Sequence, residues 1–246
     1  MSKKIYVTGL GPGLYEHMTE AAKASLEVAD IIVGYKTYID IIADLVAGKD
    51  VRSSGMRKEV DRCQECLDLA EAGNTVTLVS SGDAGVYGMA GIMMEMVEKQ
   101  GSDVDVIVVP GISAANAAAS TLGAPLMHDY CVISLSDLMT DWEVIKKRIR
   151  CAGEGDFIVA LYNPKSKGRP NNIVEAQEIL LEYKAGSTPV GIVRNAKRAD
   201  EQATITTLEE MCDAEIDMFS MVIIGNSKTM VTKDNLHMIT PRGYQL

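Results

Sequence analysis

Five short stretches of the sequence bring glycines, carboxylates, hydroxyls or cations together in spacings that suit ligand chemistry. Gly9-Leu10-Gly11-Pro12-Gly13 sets alternate glycines around a proline, so its backbone could lie close to a ligand. It is not G-x-G-x-x-G, and no helix follows at once to aim a dipole at a pyrophosphate. A plain tight turn accounts for it equally well. Ser80-Ser81-Gly82-Asp83-Ala84-Gly85-Val86-Tyr87-Gly88 offers a carboxylate, Asp83, that could accept hydrogen bonds from a ribose or an amino group. Asp83 also reads as the N-cap of a following helix. In Pro110-Gly111-Ile112-Ser113-Ala114, Ser113 suits a helix cap, and equally a loop that presents amides and a hydroxyl to a ligand. The remaining two stretches are cationic. Leu161-Tyr162-Asn163-Pro164-Lys165-Ser166-Lys167-Gly168-Arg169 and Arg194-Asn195-Ala196-Lys197-Arg198 are places where a carboxylate-bearing molecule could be held, arginine by paired hydrogen bonds. Solvated loop charge is the plainer account of the lysines.

Several other chemistries lose support. G-x-x-x-x-G-K-[ST], H-E-x-x-H, G-x-S-x-G and calcium-loop patterns do not occur, and His17, His128 and His237 are scattered. Lys and Arg number 24 against 34 Asp and Glu, a net charge of −10, which repels nucleic acids and anionic membranes at long range. No apolar run approaches the ~20 residues that span a bilayer. The opening MSKKIYVTGL carries no long apolar region or small-residue cleavage site, so a cytoplasmic protein is expected. An odd count of 5 cysteines then argues for reduced thiols. Cys63 and Cys66 form a C-x-x-C, but no second pair completes a zinc site, and no metal is expected. Val60, Cys63, Leu67 and Ala70 fall instead on an apolar helical stripe.

The elements that must position these stretches alternate strand, loop and helix, the pattern of an α/β fold with a mostly parallel sheet. Residues 4–8, 31–34, 75–80 and 104–109 read as strands of a first half. Tyr38, Ile41, Ile42, Leu45 and Val46 recur at helical spacing, as do Val86, Met89, Ala90, Met93 and Val97. A helix is expected to start at the N-cap Thr19, with Glu20 in its first turn. The stretch GAPLMHD, residues 123–129, marks the boundary between two domains, 1–124 and 125–246. In the second, 131–135, 157–162, 190–194, 203–207 and 218–224 read as strands. The last two flank only one short helix, which predicts antiparallel or mixed pairing. Residues 233–246 read as an edge hairpin or tail, and no internal repeat is seen. Ligands of open α/β sheets bind beyond the carboxyl ends of strands, where all five stretches fall.

Taken in order, the G-x-G-P-G loop, the G-D-x-x-x-Y-G loop and the P-G-x-S-A turn resemble the tetrapyrrole (corrin/porphyrin) methylase family over essentially the whole chain. GYKTYID from Gly34, SSGM from Ser53 followed by Glu59, SSGDAGVYGMAG, LYNPKSKGR and IIGNSKT from Ile223 are similar to its carbon-17 branch. Ala84 stands where many members have proline. The resemblance implies two α/β/α domains with a ligand cleft between them. It implies transfer of a methyl group from S-adenosylmethionine to carbon 17 of a precorrin-3B or cobalt-factor III macrocycle in cobalamin biosynthesis, with ring contraction. It implies cofactor contacts at Leu10, Gly82, Asp83, Val86, Ser113, Ala114, Asn163, Asn195 and Ala196. Substrate carboxylates would meet Lys165, Arg169, Arg194 and Lys197, and Lys36, Ser54, Glu59 and Asn163 are candidates for assisting ring contraction. A homodimer is implied as well. The alternatives are a family member acting at another ring carbon, and a nucleotide-binding module without catalysis.

Overall fold

Val and Ile alternate along the first strands so that both faces of a sheet are apolar, which a parallel sheet covered on both sides requires. In the computed structural model, which describes residues 3–245, this holds for the first of two units, Met1–Ala114. Its strands are β1 (Lys4–Gly9), β2 (Ile31–Tyr35), β3 (Asp50–Ser54), β4 (Thr75–Ser80) and β5 (Asp105–Val109). They pair in the order β3-β2-β4-β1-β5, and every pairing is parallel. Helices α1 (Glu20–Val28), α2 (Lys36–Ile41), α3 (Glu59–Glu71) and α4 (Ala90–Gln100) connect them.

One face of this sheet packs Ile5, Val7, Val33 and Leu78 against Cys63, Cys66 and Leu67 of α3 and Met93 of α4. The other packs Ile32 and Val79 against Leu26 of α1 and Ile39 of α2. The connections explain this split: β1 to β2 and β2 to β3 move one way along the sheet, and β3 to β4 and β4 to β5 the other. Right-handed crossovers then place their helices on opposite faces. The direction reverses between β4 and β1, the switch point beyond which such sheets bind ligands. Thr19 caps α1 as expected, its Oγ1 accepting from the Ala22 amide at 3.1 Å. A buried set of hydroxyls pins that helix down: Thr8 and Ser25 lie 2.8 Å apart, and Thr77 donates to the Ser25 carbonyl at 2.7 Å.

The second unit is Ala115–Leu246. Its main sheet runs β10-β9-β11-β8-β7, from β7 (Tyr130–Ser134), β8 (Ile158–Tyr162), β9 (Pro189–Arg194), β10 (Gln202–Thr207) and β11 (Ser220–Ile224). Only β7 and β8 pair in parallel, the rest antiparallel, in line with the mixed pairing expected. Helices α6 (Trp142–Glu154) and α7 (Asn172–Leu181) bury Ile145, Ile149, Ile173 and Leu180 against Val159, Leu161 and Val222. Helix α5 (Ala114–Leu122) packs its end on β9, where a Cβ on Gly191 would sit 2.3 Å from Leu122 Cδ1. A small sheet of β12 (Met230–Val231), β13 (Met238–Ile239) and β6 (Gly123–Ala124) completes the unit.

Several expectations need correcting. Strand β3, DVRSS, was not expected: as an edge strand with polar residues it lacks the apolar pattern of its neighbours. Val60 is 62% exposed and leaves the α3 stripe, which Cys66 joins instead. Val86 precedes α4 and is exposed. Helix α2 ends at Ile41, so Ile42 and Val46 are buried from a turn rather than a helix. In the C-terminal stretch β13 is paired on both sides, so it is more than an edge hairpin, and Leu246 lies outside the described residues.

Candidate active site

The carboxyl ends of the five parallel strands are level. Gly9 of β1 is opposite Ser80 of β4, Thr8 opposite Val109 of β5, and Tyr35 of β2 opposite Ser54 of β3. The glycine loops that follow β1, β4 and β5 are thereby forced together at the switch point. The Leu10 amide donates to the Ser80 carbonyl at 2.8 Å, and Gly11 and Gly82 exchange backbone hydrogen bonds at 2.9 and 2.7 Å. The contact leaves no room for side chains. A Cβ on Gly9 would lie 2.7 Å from the Gly82 carbonyl oxygen and 2.8 Å from the Gly111 nitrogen, and one on Gly111 would lie 2.2 Å from that same oxygen. The glycines are thus demanded by backbone packing on backbone.

Asp83 completes the junction. Its carboxylate accepts from the Gly85 amide at 2.8 Å within its own loop and from the Gly111 amide at 3.0 Å in the β5 loop. Helix α4 begins seven residues later with Met89 at its N-cap, so Asp83 is not a helix cap. A carboxylate has about four acceptor positions, so two amides leave capacity for a ribose hydroxyl or an ammonium group. Leu10 is buried, and Val86, three residues after Asp83, is exposed. Ala114 opens α5 directly after Ser113, and its amide is the nearest atom to a Cβ built on Gly82, at 3.7 Å.

The three branch-specific candidates stand at the same edge, beyond β2 and β3. Lys36 opens α2 and is ion-paired with Asp40 at 2.8 Å, both side chains exposed. That pair is an ordinary helix-surface contact. Ser54 ends β3 and Glu59 opens α3. The sequence reading missed the residue that ties this corner together: Arg62 on α3, only 4% exposed. Its Nε donates to Ser54 Oγ at 3.0 Å and its Nη2 to the Gly55 carbonyl at 2.9 Å, while Nη1 lies 3.9 Å from Met89 Sδ. The signal was present in the sequence, since Arg62 sits beside Cys63 and four residues before Cys66 on the buried stripe of α3.

In the second unit β8 and β9 run in the same direction on either side of β11, so Asn163 and Asn195 lie at one edge of their sheet. Both adopt left-handed backbone, φ 50° and 51°, a conformation asparagine tolerates better than most residues. Asn163 donates to Ser134 Oγ at 2.9 Å and Asn195 to Asp200 at 2.7 Å. Ala196 follows in a half-buried turn. Tyr162, at the end of β8, accepts from the Ala115 amide at 3.1 Å.

The four cations differ in what holds them. Arg194 is committed to Asp217 at 2.8 Å. Burial works to raise the Asp217 carboxyl, but the Arg194 hydrogen bond together with those from Phe219 and Ser220 holds it below the usual carboxylate range. Lys197 takes left-handed backbone, and its amide donates to Glu201. Lys165 is half-buried in its loop. Arg169 is the under-used one. Its Nε donates to Ser166 Oγ at a long 3.3 Å and lies 3.8 Å from Asp137, while its Nη1 is buried without a hydrogen-bond partner among the described residues. Leaving such a donor unmade costs about 1–3 kcal/mol.

A parallel sheet with glycine loops locked at its switch point, joined to a second α/β unit with asparagine turns and a poorly paired arginine, matches one class of protein. The family described as Tetrapyrrole (Corrin/Porphyrin) Methylases matches residues 4–212, and the chain belongs to it. Among its relatives, a "Probable cobalt-factor III C(17)-methyltransferase" of Salmonella typhimurium is 51% identical, over 98% of this chain and 99% of that one. A "Cobalt-factor III methyltransferase" of Priestia megaterium is also 51% identical, over 100% of this chain, which spans 46% of that longer protein. A "Precorrin-3B C(17)-methyltransferase" of a Sinorhizobium species is 39% identical over 99% of this chain and 98% of its own length. The crystal structure of the methyltransferase CobJ superposes with a TM-score of 0.89 at 36% identity, covering 96% of this chain and 99% of that one.

Proposed function

We propose that this protein transfers a methyl group from S-adenosylmethionine to carbon 17 of a cobalt-factor III type macrocycle in cobalamin biosynthesis, with contraction of the ring. The observation that carries this reading is the 51% identity, over 98% of this chain and 99% of that one, with the Salmonella "Probable cobalt-factor III C(17)-methyltransferase". A cobalt-containing acceptor is preferred over precorrin-3B because identity drops to 39% for the Sinorhizobium relative named for the metal-free form.

Leu10, Gly82, Asp83, Val86, Ser113 and Ala114 in the first unit and Asn163, Asn195 and Ala196 in the second are our assignment for the methyl donor. Its support is chemical: the spare acceptor capacity of Asp83 suits ribose or ammonium, and the glycine junction places backbone rather than side chains at the ends of β1, β4 and β5. Arg169 is our first choice for a substrate carboxylate, followed by Lys165 and Lys197. Arg194 comes last because Asp217 already occupies it.

A sulfonium is a good leaving group, and an electron-rich ring carbon attacks it without a protein nucleophile. What the protein contributes is alignment of carbon and methyl and a site that excludes water. No helix among the described residues is long and apolar enough to cross a membrane, and all the cysteines are free, which fits a cytoplasmic enzyme. We expect it to work as a homodimer.

The test is anaerobic incubation of the protein with cobalt-factor III and S-adenosylmethionine, followed by mass spectrometry. A product heavier by one methyl group supports the reading. Unchanged macrocycle beside intact methyl donor contradicts it.

A further inference from the structure

Arg62 is an anomaly that the assignments above leave unexplained. Its side chain is buried, yet no carboxylate among the described residues lies within ion-pair distance of it. Buried charges are ordinarily paired, because removing a cation from water costs several kcal/mol. Among the described residues the guanidinium is held only by neutral acceptors: Ser54 Oγ, the Gly55 carbonyl and the Met89 sulfur. Glu59 is one turn away on the same helix but makes no ion pair with it.

The geometry around Ser54 indicates what the unpaired cation does. Ser54 Oγ uses a lone pair to accept from Arg62 Nε, which turns its own hydrogen away from the guanidinium. Among the described residues that hydrogen has no acceptor. Ser54 stands where β3 ends, opposite Tyr35 at the end of β2, on the same edge of the sheet as the glycine junction. A hydroxyl polarised from behind by a buried cation is a stronger donor than an ordinary serine, and it favours a negatively charged acceptor.

We propose that Ser54 donates a hydrogen bond to a carboxylate of the bound acceptor molecule, and that Arg62 is the positioning residue that aims the hydroxyl and supplies the charge behind it. The inference rests on the reading of the protein as a methylase of a carboxylate-bearing macrocycle, and it names where on the first unit that macrocycle is anchored.

The experiment uses two acceptors, cobalt-factor III in the methylation assay and uroporphyrin III, an octacarboxylate porphyrin, as a binding probe followed by fluorescence. Ser54→Ala is expected to raise KM for cobalt-factor III and Kd for uroporphyrin III about 10- to 100-fold, the weight of a hydrogen bond to a charged group. The Kd for S-adenosylmethionine should stay within about twofold. Ser54→Thr, which keeps the hydroxyl, should restore most of the loss. Arg62→Gln should give a similar loss, and the double variant should lose little more than either single one, because the two residues act as a unit. Circular dichroism melts of each variant separate this from unfolding, and Ser54→Ala serves as the arbiter if Arg62→Gln does not fold. Unchanged acceptor binding in Ser54→Ala, or loss that Ser54→Thr fails to restore, overturns the proposal. Fully additive losses overturn the role given to Arg62. If the wild type binds uroporphyrin III in a Ser54-dependent way but methylates nothing, the anchor stands and the functional reading falls. A wild type that binds neither acceptor rejects both.

Discussion

Asp83 shows how one residue type admits two readings that only contacts separate. From sequence it suited a helix cap as well as a ligand; folded, it ties the loop after β4 to the loop after β5 through the Gly85 and Gly111 amides. Asp83→Ala removes both bonds. It should destabilise the protein by about 2 kcal/mol and weaken S-adenosylmethionine binding about tenfold or more, as thermal unfolding and calorimetry would measure. Gly9→Ala probes the same junction from its crowded side. Its methyl would press on the backbone of Gly82 and Gly111, so a loss of about 1–3 kcal/mol is expected, with methyl-donor affinity falling alongside. The glycines and Asp83 were legible because their types and order are unusual. What the sequence did not disclose was their partners, since the bonds join loops some 30 to 70 positions apart. Arg62 is legible only through its position on the buried stripe of α3. An arginine on an apolar helical stripe reads as surface charge until the side chain is seen to turn inward.

At the scale of elements, the apolar strands β1, β2, β4 and β5 were plain from their Val and Ile content, whereas β3 was not. DVRSS owes its place to pairing with β2 rather than to its own pattern, as edge strands often do. The same distinction governs α3. Periodicity places Cys63 inside correctly and Val60 wrongly, because the buried face is formed by Arg62, Cys63, Cys66, Leu67 and Ala70, and Val60 lies to its side. Burial raises the Cys63 thiol to about 11 and the Cys66 thiol well above its ordinary value, so neither offers a thiolate near neutral pH. At pH 8 a thiol reagent should label Cys151, which is exposed, within minutes and leave Cys63 and Cys66 unlabelled until the protein is denatured. Rapid labelling of the C-x-x-C pair in native protein would contradict the packing of α3.

At the scale of the whole molecule, the net charge of −10 makes the cationic side chains near the strand ends stand out as places for an anionic macrocycle. Two partly buried carboxyls of the second unit, Asp156 and Asp217, contribute to its acid sensitivity. Burial opposes ionisation at each. Hydrogen bonds outweigh it, from Ser227 and Lys184 at Asp156 and from Arg194, Phe219 and Ser220 at Asp217, and hold both below the ordinary 3.8. Groups lowered in the folded state add stability that is full above the ordinary value and disappears as pH falls through the lowered one. The melting temperature should therefore be level from pH 7 to about 5 and drop steeply below about 4, and Asp217→Asn should flatten that drop. The two-unit α/β plan was readable from the alternation of strands and helices.

Methyl transfer to carbon 17 can be followed at that atom by carbon-13 magnetic resonance. Product made from cobalt-factor III and S-adenosylmethionine enriched with carbon-13 at its methyl group should show a single enriched methyl signal, coupled through the bond to carbon 17. Enrichment on any other ring carbon, or label that never leaves the methyl donor, would contradict the account.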